Sequence, residues 1–286
     1  MQIKMTGVSG YLGEVIKKEL IEKRHQVLPI SRSFLYGSTD ELAAQLKGTQ
    51  VLINLAGAPI LQRWTSHNKQ VIYESRVQTT SNLVKAIQKM NEDQRPQKVI
   101  SASAVGIYAV NGSHDEQSTD FDNGFVGTVV KDWENAWKGL PENVELTIFR
   151  LGVVLGKEAQ TIKKLWLPFK LGLGGKIGNG KQPFPFVHEK DVARAFAWAL
   201  DQSGRDGIYN LAAPQKITNK GFTKAMAAAL KRPAIIPVPE FALRVVYGKA
   251  ATLLTESPEV IPRELEKQNF EFRFPDIEST LKEITG

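Results

Sequence analysis

Three glycines spaced three residues apart, Gly7, Gly10 and Gly13, separate a short apolar segment from a helical one near the beginning of the chain. Residues 2–6 predict a strand, and residues 12–23 predict a helix. In such a turn the first glycine permits the tight change of direction, the second leaves the backbone open to a ligand, and the third lets the helix pack closely on the strand. Free N–H groups at the start of the helix favour a phosphate. The pattern therefore predicts a dinucleotide-binding turn.

Apolar strand segments and helical segments alternate through the first half of the chain. The predicted strands are residues 2–6, 26–31, 51–55, 98–102 and 145–149, and the predicted helices between them are residues 12–23, 40–46, 66–90 and 125–138. The strands are apolar almost throughout, as expected for a parallel sheet that is covered on both faces. This alternation predicts an α/β fold with a Rossmann-type doubly wound parallel sheet and right-handed crossovers.

The character of the sequence changes after Arg150. Residues 167–186 are rich in glycine and proline and are typical of loop and short strand, whereas residues 189–202 predict a helix and residues 207–213 a strand. The helices predicted in the last part of the chain are residues 219–230, 240–255, 258–268 and 275–284. We therefore predict a dinucleotide-binding domain of residues 1–154 plus 187–213. A smaller C-terminal lobe formed by insertions, residues 155–186 plus 214–286, is expected to hold the substrate.

The composition is that of an ordinary soluble globular protein, because 42% of the 286 residues are hydrophobic and 23% are charged. No apolar run approaches the roughly 20 residues that span a bilayer, and the first strand begins too early to leave room for a signal peptide. The chain has no cysteine and its four histidines are far apart, so we expect neither disulfides nor a metal site. These features favour a cytoplasmic protein without a membrane partner.

The formal net charge of +7 raises the question of an anionic partner. The sequence contains no lysine and arginine tract with interleaved aromatic residues, so we expect no nucleic-acid partner. Residues 157–190 carry seven lysines and only two acids, Glu158 and Glu189. This segment is either a solvated, lysine-coated surface or the rim of a cleft that attracts an anionic small-molecule substrate. We expect that cleft between the carboxyl ends of the strands and residues 152–186 and 214–239.

The end of the second predicted strand indicates which dinucleotide binds. An acid at this position would bind the ribose hydroxyls of NAD, but the sequence here is "VLPISRS", with Ser31 and Arg32 at the tip. The Arg32 guanidinium can pair with a 2′-phosphate. The sequence therefore favours NADP(H) over NAD(H) as cofactor, and the alternative is that Arg32 is an unrelated surface residue.

Stretches along the whole chain resemble a known family. They include "TGVSGYLG", "VLINLAGAPI", "ESRVQTTSNLV", "SASAVGIYA", "FRLGVVLG", "LGLGGKIGNGKQ", "FVHEKDVARA" and "RPAIIPVPEFALRVVYG". They are similar to the extended branch of the short-chain dehydrogenase/reductase superfamily, the NAD-dependent epimerase/dehydratase family. The resemblance is closer to an atypical subgroup labelled "epimerase family protein", whose C-terminal segment is a domain of unknown function. The cofactor-binding residues that the glycine turn, the strand ends and the resemblance together imply are Gly7, Ser9, Gly10, Tyr11, Leu12, Gly13, Ser31, Arg32, Leu55, Ala56, Gly57, Arg76, Ala102 and Gly152.

Catalytic members of the superfamily use a serine or threonine and a tyrosine four residues before a lysine, which lowers the pKa of the tyrosine. The resemblance makes Ser103 the match for the serine. At the start of the next predicted long helix, however, Phe125 stands where the tyrosine belongs, and Val129 or Val130 where the lysine belongs. Lys131 lies one or two positions after the place of the lysine. Each position turns a helix by roughly 100°. The usual Tyr-x-x-x-Lys pair is therefore missing from the sequence.

Four other residues are candidates to replace the missing pair or to lie beside it. Tyr108 follows the Ser103 strand and is the candidate proton carrier, with a pKa expected near its usual value of about 10, although it could simply form a pocket wall. His188 could serve as an acid–base group or be a packed or capping histidine. Lys131 could reach into the site or be solvated, and Glu134 could pair with it on the surface one helical turn away.

Two functional hypotheses follow from these residues. The first is an NADP(H)-dependent enzyme, either an oxidoreductase or epimerase-like, with an altered acid–base set and with Ser103 and Tyr108 as its catalytic residues. The second is a non-catalytic NADP(H)-binding protein, acting as a redox sensor or a partner-binding module. Turnover with a carbonyl compound would distinguish the first from the second.

Overall fold

The computed structural model describes residues 1–200 and 204–286. The strands in this part of the chain are β1 (Gln2–Thr6), β2 (Gln26–Ile30), β3 (Val51–Asn54), β4 (Lys98–Ala104), β5 (Ser113–His114), β6 (Glu145–Leu151), β7 (Val153–Leu155), β8 (Phe186–His188), β9 (Gly207–Leu211) and β10 (Glu259–Val260). The α-helices are α1 (Tyr11–Glu22), α2 (Arg32–Tyr36), α3 (Thr39–Leu46), α4 (Ser66–Glu74), α5 (Val77–Gln88), α6 (Phe125–Asn135), α7 (Gln160–Lys170), α8 (Glu189–Trp198), α9 (Asn219–Leu230), α10 (Glu240–Tyr247), α11 (Thr252–Thr255), α12 (Arg263–Lys267) and α13 (Ile277–Thr285). The last two residues of the helix predicted over 189–202 lie outside the described residues.

Six parallel strands form the central sheet in the order β2-β1-β3-β4-β6-β9. The chain leaves β1 toward β2 on one side and then crosses back to β3 on the other, so the direction of winding reverses between β1 and β3. In open α/β sheets ligands bind at this switch point, outside the carboxyl ends of the strands. The doubly wound parallel sheet predicted from the sequence is confirmed.

Apolar side chains cover both faces of the sheet. Along β3, Val51 and Ile53 belong to the core on the face that carries α1 and α8, whereas Leu52 belongs to the core on the face that carries α3 and α5. Successive residues of a strand point to opposite faces, so a sheet that is buried on both sides needs apolar residues at every position. This is why the strands could be identified from continuous apolar runs.

A third core lies beyond the sheet and joins α7, α9 and α13. Ile162, Phe169, Phe222 and Leu281 are among its buried residues. The C-terminal segment does not stay in this lobe throughout, because β10 pairs with β5 and Leu265 packs into the core beside the sheet. The division into residues 1–154 plus 187–213 and residues 155–186 plus 214–286 stays a prediction.

The helix predicted over residues 66–90 is divided in two. The Ser75 hydroxyl donates to the carbonyl of Ile72 and accepts from the backbone N–H of Ala58, so it replaces bonds that a continuous helix would make. The chain turns at Arg76 before α5 begins. The break places Arg76 at the carboxyl edge of the sheet instead of in the middle of a long helix.

Helix α7 was not predicted, because Pro168 and the glycines that follow it are typical of loop. Pro168 lies in the last turn of the helix, and Ile162 and Phe169 are buried on its inner side. Apolar burial of one face stabilises a helix whose local sequence does not favour it. The short helix α2 was missed as well, because it has little more than one turn.

Replacing Gly13 with alanine should lower the free energy of unfolding by about 1–3 kcal/mol, the usual range for overpacking. A Cβ atom at this position would lie 2.2 Å from the carbonyl oxygen of Gly7 and 2.6 Å from that of Val8, so α1 would have to move away from β1. Gly10→Ala is the control, because the nearest protein atom to its added Cβ is the Gly7 oxygen, at 3.2 Å. Urea unfolding measures both variants, and equal stabilities would contradict the packing argument.

Candidate functional site

A hydrogen-bond network at Thr6 holds the ends of β1 and β3 side by side. The Thr6 hydroxyl donates to the Asn54 side-chain oxygen at 2.7 Å and accepts from the backbone N–H groups of Leu55 at 3.0 Å and Ala56 at 3.1 Å. Thr6 and Asn54 are fully buried, where such bonds are costly to break. The loops that follow the two strands therefore start from fixed positions at the switch point.

The glycine turn packs directly against the loop after β3. Gly7 has a φ of +67°, and a Cβ atom there would lie 2.8 Å from the Leu55 carbonyl oxygen, so both backbone conformation and space require glycine. Gly10 precedes α1 without any side-chain cap, and both Ser9 and Gly10 are exposed. The first N–H groups of a helix have no partner within the helix and attract anions. The turn is therefore open on the side where a pyrophosphate would bind.

Arg32 lies at the same edge of the sheet, just after β2, which pairs with β1. Its guanidinium lies over the ring of Tyr36, 5.4 Å from the centroid, and it forms no ion pair with any described residue. The Ser31 hydroxyl is hydrogen bonded to that of Ser33 at 2.7 Å. Arg32 is thus an exposed cation beside the glycine turn that is free to pair with a phosphate.

Arg76 brings a second cation to this edge. Its guanidinium donates to the carbonyls of Ile72 at 3.2 Å and Ala58 at 3.0 Å, and lies within about 3 Å of the space beside Gly57. Burial lowers the pKa of Arg76 to about 10. Arg76 has no carboxylate partner in the described part of the chain. Its other contacts, the Ser75 hydroxyl and the Trp133 ring, are uncharged as well, and a desolvated cation with uncharged partners can bind an anionic group of a ligand.

Glu134 and Arg150 form a buried, bidentate ion pair between α6 and β6. The carboxylate accepts from Nη2 of Arg150 at 2.6 Å and from Nε at 2.8 Å, and it also accepts from the Ser103 hydroxyl at 2.5 Å. Burial by itself would lower the pKa of Arg150, but the Glu134 carboxylate raises it above its usual value. The expected surface pair of Glu134 with Lys131 is wrong, because Glu134 faces inward while Lys131 is exposed.

Tyr108 extends this network toward β9. Its hydroxyl donates to the side-chain oxygen of Asn210 at 2.8 Å and accepts from Nη1 of Arg150 at 2.7 Å, and only 1% of the residue is exposed. Burial raises the pKa of Tyr108 above its usual value although Arg150 and Asn210 oppose the rise. The pKa expected near 10 is therefore too low, and the phenol is protonated at neutral pH.

Phe125 and Val129, which the resemblance matches to the tyrosine and the lysine, are apolar. Phe125 is the first residue of α6, with its ring edge-on to Trp64 at 5.1 Å and the Lys69 ammonium 5.0 Å from its centroid. Val129, four residues later, is buried. The cation beside Phe125 is thus Lys69.

His188 has a packed, capping role. It is fully buried at the start of α8, where Nδ1 accepts from the backbone N–H of Lys190 at 3.1 Å and Nε2 lies 2.9 Å from a Glu283 oxygen. Burial lowers the pKa of His188 although Glu283 opposes this. These contacts fix α8 against α13, and His188 does not line the cavity described below.

The other residues predicted to bind the cofactor also lie at or near the carboxyl ends of the strands. Ala102 is buried in β4, and Gly152 follows β6, where a Cβ atom would lie 2.7 Å from the Pro185 carbonyl oxygen. The Tyr11 hydroxyl donates to Glu189, and burial, reinforced by this contact, raises the pKa of Tyr11. The structure thus brings the predicted residues together, and their roles as cofactor ligands stay predictions, as do the catalytic roles of Ser103 and Tyr108.

A cavity of about 700 Å³ opens beside Phe125. Its lining residues come from the loops after β3 and β4, the start of α6 and the C-terminal helices: Trp64, Lys69, Gly106, Tyr108, Val110, Asp122, Gly124, Phe125, Val126, Arg244, Gly248, Lys249, Ala251, Thr252, Leu253, Glu256 and Pro258. Residues 152–186 and 214–239 do not line this cavity, and their place as walls of the predicted cleft stays a prediction. The lysine-rich segment 157–190 does not line it either.

Residues 1–200 and 204–286 contain neither a cluster of metal ligands nor a helix that could span a membrane. No group of three or more His, Cys, Asp or Glu side chains in these ranges could hold a metal ion. No helix there is long and apolar enough to cross a membrane.

Sequence reasoning missed the Glu134–Arg150 pair and its link to Asn210. The signal was present in "TIFRLG", because an arginine within a strand that is buried on both faces requires a carboxylate partner. A carboxylate on the inner face of the preceding helix could have been sought on that ground. Which acid is the partner depends on how α6 packs on the sheet, and the structure shows that it is Glu134.

The sequence and the structure match those of known proteins. The NAD dependent epimerase/dehydratase family matches residues 3–212, and a domain of unknown function (DUF1731) matches residues 238–284. The "Epimerase family protein SDR39U1" of Mus musculus is 35% identical over 100% of both chains. The "Epimerase family protein YfhF" of Bacillus subtilis is 31% identical over 99% of this chain and 98% of that protein.

A solved structure extends these matches to three dimensions. The crystal structure of human epimerase family protein SDR39U1 with NADPH superposes with a TM-score of 0.92 and is 35% identical, covering 100% of this chain and 99% of that chain. The match includes both the sheet and the C-terminal helices. The resemblance inferred from short stretches of sequence is therefore confirmed over the whole chain.

Arg150→Met should lower the free energy of unfolding by about 3–5 kcal/mol, because it leaves the Glu134 carboxylate buried without its partner. Adding Glu134→Gln to this variant should restore part of the loss, since the unpaired charge is then removed. Lys131→Met is the control, because it removes the same charge from the exposed face of α6. Urea unfolding measures the four proteins, and equal stabilities of Arg150→Met and Lys131→Met would show that the buried pair does not stabilise the fold.

Proposed function

Because the chain belongs to the NAD-dependent epimerase/dehydratase family, we propose that it is an NADP(H)-binding atypical short-chain dehydrogenase/reductase with oxidoreductase- or epimerase-like activity. The observation that carries the proposal is Arg32, an exposed cation at the tip of β2 with no acid beside it. NADPH in the structure of the human relative supports the same cofactor. The proposal also accounts for the strict glycine positions of the turn before α1.

The residues present fit such a cofactor. The uncapped start of α1 offers backbone N–H groups to the pyrophosphate, and exposed Gly10 lets it approach. Arg32 is the partner for the 2′-phosphate, and Ser31 can donate to the same group. Arg76 lies against Gly57 and supplies a second cation for the anionic groups of the cofactor.

NADPH supplies the hydride in reactions of this class. The chain must then supply a proton to the substrate oxygen, and Tyr108 is the candidate donor because it lines the cavity beside Phe125. Burial keeps its phenol protonated, so Tyr108 suits the role of an acid and not of a base. Its hydrogen bonds with Arg150 and Asn210 would have to break or rearrange when a substrate binds. Ser103 is the candidate for positioning the substrate oxygen. Its hydroxyl already donates a hydrogen bond to Glu134. We therefore expect slow turnover.

A second function is favoured by one observation. Phe125 and Val129 place apolar groups where the tyrosine and the lysine would activate each other. A protein with this arrangement can bind the cofactor without using it, and would then act as a redox sensor or partner-binding module. Tight NADPH binding without turnover on any carbonyl compound, and a protease sensitivity that differs between NADP⁺ and NADPH, would support this alternative.

Arg32→Ala should remove most of the preference for NADPH over NADH. The variant should bind NADPH more weakly by about 1–3 kcal/mol, and its binding of NADH should not change. The reason is that the proposal assigns Arg32 as the cation that pairs with the 2′-phosphate, which NADH lacks. Fluorescence titration with both cofactors measures the preference. Lys47→Ala, which removes an equal charge at the opposite edge of the sheet, is the control. Equal affinity of the unmodified protein for NADPH and NADH would refute the proposed cofactor specificity.

Tyr108→Phe should lower the rate of NADPH oxidation with a carbonyl substrate by about 10² or more, the usual contribution of a positioned acid. The rate of the unmodified protein should not fall between pH 7 and pH 9, because the pKa of Tyr108 lies above its usual value. Tyr73→Phe, which removes an exposed phenol on α4, is the control. Activity that survives Tyr108→Phe would exclude Tyr108 as the proton donor.

A further inference from the structure

Helix α10 exposes large apolar side chains that the proposed function does not use. It has no buried residue, and Phe241, Val245 and Val246 are 69%, 68% and 58% exposed. Proteins rarely leave such groups in water next to one another unless they form a binding surface. The question is what covers them.

The spacing along α10 separates these side chains into two faces. Residues three and four apart lie on one side of a helix, so Phe241 and Val245 share a face with Arg244, and Gly248 directly follows the helix. Arg244 and Gly248 line the cavity beside Phe125. The Phe241 and Val245 face therefore continues the wall of that cavity, whereas Val246 points away from it.

Two contacts fix α10 in this position. Arg63 donates from Nε to the carbonyl of Val246 at 3.1 Å and from Nη2 to that of Val245. These are the last carbonyls of the helix, where a cation is favoured. Arg63 precedes Trp64, which also lines the cavity, so α10 is tied to the loop after β3. The apolar face is thus part of the site and not of a detached helix.

The cavity end of this face is cationic. Arg244 has its nearest carboxylate, on Glu240, 3.9 Å away, and Lys249 forms no ion pair with any described residue. Of the two acids that line the cavity, Asp122 already accepts from the Gly127 N–H at 3.1 Å, and Glu256 is the other. An anionic group next to an apolar chain would satisfy both the cations and the exposed face.

We propose that the cavity and the Phe241–Val245 face of α10 bind an amphiphilic small molecule. Its hydrocarbon part lies along Phe241 and Val245, and its anionic group pairs with Arg244 and Lys249. The proposal rests on the proposed function, because the cavity lies beside Phe125, where a substrate meets the cofactor. A second copy of the chain fits less well, since Arg244 and Lys249 of two copies would approach one another. A flat lipid surface could not enter the cavity.

The test uses the full chain, with and without saturating NADPH, and the probes hexanoate, octanoate and decanoate below their micellar concentrations. Isothermal titration calorimetry should show affinity rising by up to about fourfold for each added methylene, the gain expected for burial of apolar surface. Decanol should bind at least about tenfold more weakly than decanoate, because it lacks the anionic group. Affinity that does not depend on chain length would overturn the proposal.

Matched variants locate the binding face. Val245→Ser and Phe241→Ser should each weaken decanoate binding by about tenfold, whereas Val246→Ser, on the other face of the same helix, should leave it unchanged. Arg244→Gln should reduce the difference between decanoate and decanol. An equal effect of Val245→Ser and Val246→Ser would overturn the proposal.

Two further measurements separate the alternatives. If phosphatidylglycerol vesicles retain the protein and Val245→Ser abolishes this while decanoate binding is not detected, the face is a membrane contact and the proposal is wrong. If the protein instead dimerises through this face without binding decanoate, the proposal is equally wrong. Decanoate binding that follows the variants above while NADPH fails to bind would uphold the amphiphile site and refute the proposed function.

Discussion

The ion pair between Glu134 and Arg150 organises the carboxyl edge of the sheet on the side where chemistry is expected. One carboxylate holds the guanidinium and the Ser103 hydroxyl, and the guanidinium in turn holds the Tyr108 hydroxyl. Because the pair is buried, removing either member would leave the charge of the other uncompensated. The helix α6, the strand β6 and the loop after β4 are therefore fixed relative to one another through two side chains.

The two sides of the site, at β1 and β2 and at β4 and β6, differ in how many of their polar groups are free to bind a ligand. On the side of β1 and β2, the backbone is open and Arg32 is unpaired, an arrangement suited to binding phosphates. On the side of β4 and β6, the polar side chains are satisfied by one another, and the pKa of Tyr108 is raised by burial. A site of this kind binds its cofactor readily but has little free acid–base capacity, which is consistent with a slow enzyme or with a sensor.

The cavity beside Phe125 gains its properties from parts of the chain far apart in sequence. Trp64 and Phe125 form an aromatic wall, and α10 brings an apolar face and Arg244 from the C-terminal region. Arg63 joins the two by binding the end of α10. Where the usual tyrosine would contribute a phenol, the chain offers a ring edge and a nearby Lys69 ammonium. The space therefore suits an apolar ligand with a charged group better than a strongly polar one.

The sequence by itself determined the sheet and the glycine turn and placed Arg32 directly after a strand, because these depend on local spacing: apolar runs on both faces of a parallel sheet, and glycines where a side chain would collide. It also showed that no tyrosine of the chain stands four residues before a lysine. Only the tertiary structure decided that Glu134 pairs with Arg150, that Tyr108 is buried and that residues 244–258 rather than 152–186 line the cavity. Each of these depends on how distant elements pack, and packing is set by many small contacts between segments that no local pattern encodes.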